Sequence, residues 1–193
     1  FIENIQNLWI SNHFEEDAWN NVMMEAKNLE FAMDHLIQLK ECLEKSVNMA
    51  RKHHFKMNES VFEKILYFFF ANSKKNANNY WFGTQIHSGT GFLDVLSAIL
   101  KKFDLYELKF LEVGTCAKTE EILEEAFNQI REKSYIGLIA DYIDQTEFKN
   151  ITIIRLIPMV FYKVKSEGEY FSKIGKIEEI DIKIMKKIVQ DWK

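Results

Sequence analysis

Residues 14–52 read FEEDAWNNVMMEAKNLEFAMDHLIQLKECLEKSVNMARK. Within them Trp19, Val22, Ala26, Leu29, Met33, Leu36, Lys40, Leu43, Val47 and Ala50 recur at alternating steps of three and four. All but Lys40 are apolar, and no Gly or Pro interrupts the run. Side chains three and four apart lie above one another on a helix, so this spacing makes one apolar face. It predicts one long amphipathic helix, about 57 Å in length at about 1.5 Å per residue. Met23, Ala32 and Ile37 widen the stripe beyond a two-stranded seam, which favours packing inside a bundle. The expected fold class is mainly α: a helical bundle around the long helix at about 14–52, with a small β hairpin or edge element after residue 150.

Downstream, Asn58 or Ser60 opens a second helix running to about residue 71, with Ser60 and Glu63 in capping-box spacing. Residues 72–79 are a polar, Asn-rich loop. Thr90 is placed to cap a helix carrying Phe92, Leu93, Leu96, Ile99, Leu100 and Phe103. Residues 104–113 fit a short helix or a strand equally. Thr119 precedes an acid-rich first turn, favourable at the positive end of a helix, whose core face is Ile122, Leu123, Ala126, Phe127 and Ile130. Residues 135–143 read as a further helix. Residues 150–165 read as a β-branched strand or a Pro-kinked helix, and Pro158 would hold such a strand to an edge or a bulge. Ile184, Met185, Ile188, Val189 and Trp192 mark a closing helix from 178 to 192.

The chain has 193 residues, one Pro and seven Gly, too little punctuation for a turn-rich β architecture. Its length fits a single helical domain over 1–193, with a sub-boundary near 145–150. The start at Phe1 suggests a fragment of a longer chain. Net charge is −4, which excludes a strongly basic nucleic-acid binder. No apolar run approaches the roughly 18 residues of a membrane span, so no membrane is expected as partner. Two distant cysteines, Cys42 and Cys116, suit a reducing compartment, and the expected location is intracellular and cytoplasmic.

Chemistry-bearing motifs are sparse. No complete zinc, di-iron, Walker or dinucleotide pattern occurs, so neither a metal nor a cofactor is expected. Arg51, His53 and His54 close the long helix, where cations complement its dipole. The same residues could run metal-free phosphodiester cleavage, imidazole moving the proton and guanidinium stabilising the phosphate. The stretch Asn48–His54 resembles the active-site strip of HEPN ribonucleases, helical domains that often dimerise. It departs from their pattern in two ways: Lys52 rather than Asn follows Arg51, and the histidines come only two and three positions after it. Tyr80, Trp81 and Phe82 form an aromatic cluster suited to a partner or ligand surface. With 16 Phe, 7 Tyr and 4 Trp, the chain has more rings than a core of this size needs.

These features lead to a non-enzymatic protein–protein interaction or regulatory domain, with a protein partner or self-association. One alternative is a HEPN-like metal-independent ribonuclease using Arg51 with His53 and His54, acting on RNA. The other is a helical sensor for an apolar ligand.

Overall fold

A computed structural model gives the fold. It describes residues 40–41, 43–45, 47–48, 57–73, 80–88, 91–99, 101–132, 139, 142, 148–164, 168–184 and 187. Their architecture is a mixed β-sheet with helices packed on it, and the expected all-α helical bundle is overturned. Helix α1 is Glu59–Ser73, followed by strands β1 (Tyr80–Ser88), β2 (Gly91–Ile99) and β3 (Lys102–Leu111). Helix α2 (Cys116–Glu132) leads to β4 (Ile153–Lys163), β5 (Tyr170–Ile174) and β6 (Glu178–Asp181). These six strands form one sheet in the order β1-β2-β3-β4-β5, with β6 also on β4. The first three make an antiparallel meander. β3 and β4 run parallel, from Lys102↔Ile153 to Leu111↔Tyr162, and the chain between them carries α2 across the sheet.

The misreading has a physical origin. β2, β3 and β4 are buried along most of their length, on both faces. Such strands read as continuous apolar runs without period-two alternation. Residues 92–103 therefore mimic a helical stripe, but 92–99 lie in β2 and 102–103 begin β3, its antiparallel partner. Residues 178–181, assigned to a closing helix, instead pair with β4 from Ile153↔Asp181 to Leu156↔Glu178.

Residues 153–163 are a strand, and an interior one rather than an edge. β4 tolerates Pro158 because the ladder on one side is divided there. β6 ends at Leu156↔Glu178 and β5 begins at Met159↔Ile174. The Pro158 carbonyl accepts from Gly175 N at 2.9 Å on that side, so the missing N–H falls where the chain passes from β5 to β6.

Helix starts are set by short side chains. Asn58, not Ser60, caps α1, its Oδ1 accepting from Val61 N at 3.0 Å. Thr115, not Thr119, caps α2, its Oγ1 accepting from Lys118 N at 3.3 Å. Of the expected face of α2, Leu123, Ala126, Phe127 and Ile130 are buried and Ile122 is partly buried; Phe127 and Ile130 join Phe103, Leu105, Ile154 and Leu156 in one core cluster. Behind α1, Phe62 stacks on Phe161 with ring centres 4.1 Å apart.

The described positions between 40 and 48 are helical, and Leu43 and Val47 of the apolar stripe are fully buried. Lys40, the polar break in the stripe, is partly buried, and the remaining stripe positions lie outside the described residues. This segment covers an edge of the sheet. Asn48 acts as a surrogate neighbouring strand for β5: its Nδ2 donates to Tyr170 O at 2.8 Å and its Oδ1 accepts from Tyr170 N at 2.9 Å. Glu44 Oε1 accepts from Ser172 N at 2.6 Å. Satisfying both peptide groups of Tyr170 removes the unpaired edge that would invite association. Asn48→Ala is expected to cost about 1–3 kcal/mol, the penalty for stranding part-buried backbone groups. A denaturant midpoint equal to that of the parent would count against this account.

Candidate functional site

β2 and β3 stop being a regular pair at Val95↔Tyr106. One step further along lie Asp94 and Glu107, the former with its Oδ2 accepting from Leu108 N at 2.7 Å. A carboxylate thus takes the place of a ladder carbonyl, and Asp94 is pinned against β3. Glu107 is 1% exposed and Asp94 9%. Two residues on from Glu107, on the same face of β3, Lys109 donates from Nζ to Glu107 Oε1 at 3.1 Å. Burial pulls the Lys109 ammonium down, but the charge of Glu107 and its hydrogen bond outweigh that and hold the group above its ordinary value. Lys109 is therefore a fixed cation at neutral pH. The charges of Glu59 and Asp94 reach it as well.

A third carboxylate approaches from α1. Glu63 is half-buried, and burial raises its pKa, with the charge of Asp94 adding to the rise. Gln85 Nε2 donates to Glu63 Oε2 at 3.0 Å and opposes the shift. The charge of Asp94 on β2 thus reaches both Glu63 of α1, which Gln85 of β1 bonds, and Lys109 of β3, which bonds Glu107. Buried charge is costly, and a well-packed apolar set would be at least as stable in its place. Grouped ionisable residues retained at such a cost mark functional sites more often than chance.

A second buried charged group has a different character. Arg155 donates from Nε to Asp104 Oδ1 at 2.6 Å and from Nη2 to Oδ2 at 2.5 Å. The fully buried Tyr106 donates from its hydroxyl to Asp104 Oδ2 at 3.3 Å. Burial pushes Asp104 up, against the pull of Arg155. Here the donors and acceptors match one another, and the pair sits within the interior of the sheet, so this group reads as structural.

Of the candidate site residues singled out from the sequence, the structure describes Tyr80, Trp81 and Phe82. Arg51, His53 and His54 lie outside the described residues. Tyr80, Trp81 and Phe82 open β1. Trp81 packs on Tyr142 and edge-on to Phe148, at ring separations of 5.2 and 5.7 Å. Phe82 meets Tyr67 of α1 edge-on at 5.3 Å. Sequence reasoning did not find Asp94, Glu107 or Lys109. The available signal was the Glu-Leu-Lys triplet at 107–109, an acid and a base two apart, which places both on one face only if the segment is a strand.

Among the described residues, no group of three or more His, Cys, Asp or Glu side chains is arranged to hold a metal ion. Asp94 and Glu107 are buried carboxylates on neighbouring strands. A magnesium-like ion is commonly bound through one or two carboxylates, with waters and substrate phosphates as its other ligands. No described helix is long and apolar enough to cross a membrane. Comparison with protein-family models, curated proteins and solved structures returns no match.

Proposed function

We propose that the chain is a divalent-cation-dependent nuclease that hydrolyses phosphodiester bonds at Asp94, Glu107 and Lys109. The observation that carries this is the ion pair of Lys109 with the almost fully buried Glu107, beside Asp94 on the neighbouring strand. Two acceptor-only carboxylates hold a hard cation, and a cation with an adjacent ammonium attracts an anionic, oxygen-rich substrate. Asp94 and Glu107 would hold the cation, which would polarise a phosphoryl oxygen and make an attacking water more nucleophilic. Lys109, permanently charged, stabilises the negative charge that builds on the phosphate as water attacks and orients that water. A bond forms from the water oxygen to phosphorus and the ester P–O bond breaks. The water's proton passes to solvent and the leaving alkoxide takes one up.

A polymeric substrate is favoured by a ring pair beside the site. Phe92 is 52% exposed, two residues before Asp94 on β2, and meets the exposed His87 edge-on at 5.1 Å. Exposed aromatics next to a phosphate site are suited to base stacking.

The test is incubation of the full chain with labelled single- and double-stranded DNA and RNA, in Mg²⁺ or Mn²⁺ and in excess EDTA. Cleavage that needs the cation supports the reading. No cleavage under any cation condition sinks it. EDTA-resistant cleavage of RNA that disappears in Arg51→Ala would replace it with the HEPN-like alternative.

A further inference from the structure

β3 and β4 run side by side from Lys102↔Ile153 to Leu111↔Tyr162, and both are buried along most of their length. On one face Phe103, Leu105, Ile154 and Leu156 join Phe127 and Ile130 of α2 in the core cluster. On the other, Phe110 and Phe161 meet Phe62 of α1. Strands with one polar face hold their register, because a slip turns apolar side chains out to water. β3 and β4 lack that constraint. A slip of two keeps every side chain on its face and still sets apolar against apolar, with Leu105 opposite Ile154 and Leu108 opposite Ile157. Of the ladder's pairs, Asp104↔Arg155 is the one with a charge on both strands. In register, Arg155 reaches both oxygens of Asp104, at 2.6 and 2.5 Å. A slip of two in one direction sets Arg155 opposite Lys102 and Asp104 opposite Ile157. In the other direction it sets Arg155 opposite Tyr106 and Asp104 opposite Ile153. Either slip separates two buried charges that the observed register joins.

We infer that the Asp104–Arg155 pair is a register lock: it selects one alignment of two parallel strands whose apolar side chains accept several. A buried polar group at a single position fixes the register of a coiled coil in the same way, at a cost in stability. The row extends to both neighbouring strands, through Ser97↔Asp104 on β2 and Arg155↔Glu179 on β6. Arg155 thus lies in register between two carboxylates, one on each flanking strand.

The experiment compares the isotope-labelled full chain with its Asp104→Leu/Arg155→Met variant by NMR. In the parent, one set of cross-strand NOEs should join β3 to β4, with Leu105 against Leu156. The double variant should fold, because matched apolar replacements of a buried pair are often neutral or better. It should show a second set of β3 and β4 amide signals at about 10% or more of the total, the share of a state within a few kcal/mol of the first. In that second set Leu105 should meet Ile154 or Pro158. Signals of the β1–β2 hairpin should stay single, which separates a slipped register from general loosening. A double variant with one set of signals and the parent NOEs would overturn the inference. So would doubling spread evenly over all strands. A double variant that does not fold would overturn it too, since the pair would then carry stability rather than register. No step uses cleavage, so the nuclease reading stands or falls separately.

Discussion

Replacing both partners of the Lys109–Glu107 ion pair is expected to leave a stable and inactive protein. Glu107→Gln alone removes a cation ligand and leaves Lys109 half-buried without its counter-charge. Lys109→Met alone leaves Glu107, 1% exposed, as a buried carboxylate without its ammonium. Each single variant should lose stability, since breaking a buried pair costs about 3–5 kcal/mol. Each should also lose at least about 10²-fold in kcat, the scale seen when one charge-stabilising group is removed. The double variant separates the two roles. Removing both charges restores stability to near the parent value, because matched apolar and neutral replacements of a buried pair are often neutral or better. Cleavage should not return, and its loss should be no greater than in the worse single variant, because the groups act as a unit. Melting temperature and single-turnover cleavage of one labelled substrate, measured on all three variants, decide the matter. A double variant that cleaves like the parent would reduce the ion pair to a structural element.

The Asp104–Arg155 pair should behave in the opposite way. It is bidentate, and it lies in register across the sheet, with Ser97↔Asp104, Asp104↔Arg155 and Arg155↔Glu179 as successive neighbours. Asp104→Ala strands a guanidinium that is 7% exposed and removes the acceptor for the Tyr106 hydroxyl. The expected loss is about 3–5 kcal/mol, visible as a lower denaturant midpoint at unchanged slope. Asp104→Leu with Arg155→Met should recover most of it. Cation-dependent cleavage by that recovered double variant should stay near the parent rate. A midpoint unmoved by Asp104→Ala would show that water reaches the pair and that its burial is not what holds β3 to β4.

The two charged groups differ by one step along β3, and that step explains why the site could not be read from the chain. Asp104 and Tyr106 point to one face, Glu107 and Lys109 to the other, once 102–111 is a strand. On a helix, residues two apart do not face each other, so Glu-Leu-Lys at 107–109 would carry no meaning. The segment fits either form because helices pack on the sheet and both its faces are buried, which erases the alternation that identifies a strand. Asp94 was hidden for a related reason: within the apolar run 92–103 it looked like one polar residue on a helical stripe.

What the sequence determined by itself is local. Asn58 starts a helix, because a short oxygen-bearing side chain satisfies orphan N–H groups wherever it stands, whereas the cap of α2 falls at Thr115, one turn before the expected Thr119. The apolar face of α2 follows from period 3.6 and needs no knowledge of the sheet beneath it. The buried Leu43 and Val47 follow from the same periodicity. Tertiary structure alone decided the sheet, the passage of Pro158 through its interior, and the placing of Asp94 beside the strand that carries Glu107 and Lys109. Strand pairing joins residues 51 positions apart, as in Asp104↔Arg155, and no local spacing encodes which run will lie beside which. Hydrophobic burial is non-directional, so an apolar run specifies that it will be covered but not the form it takes when covered. The site exists only because β2 and β3 lie side by side, and neither strand marks it alone.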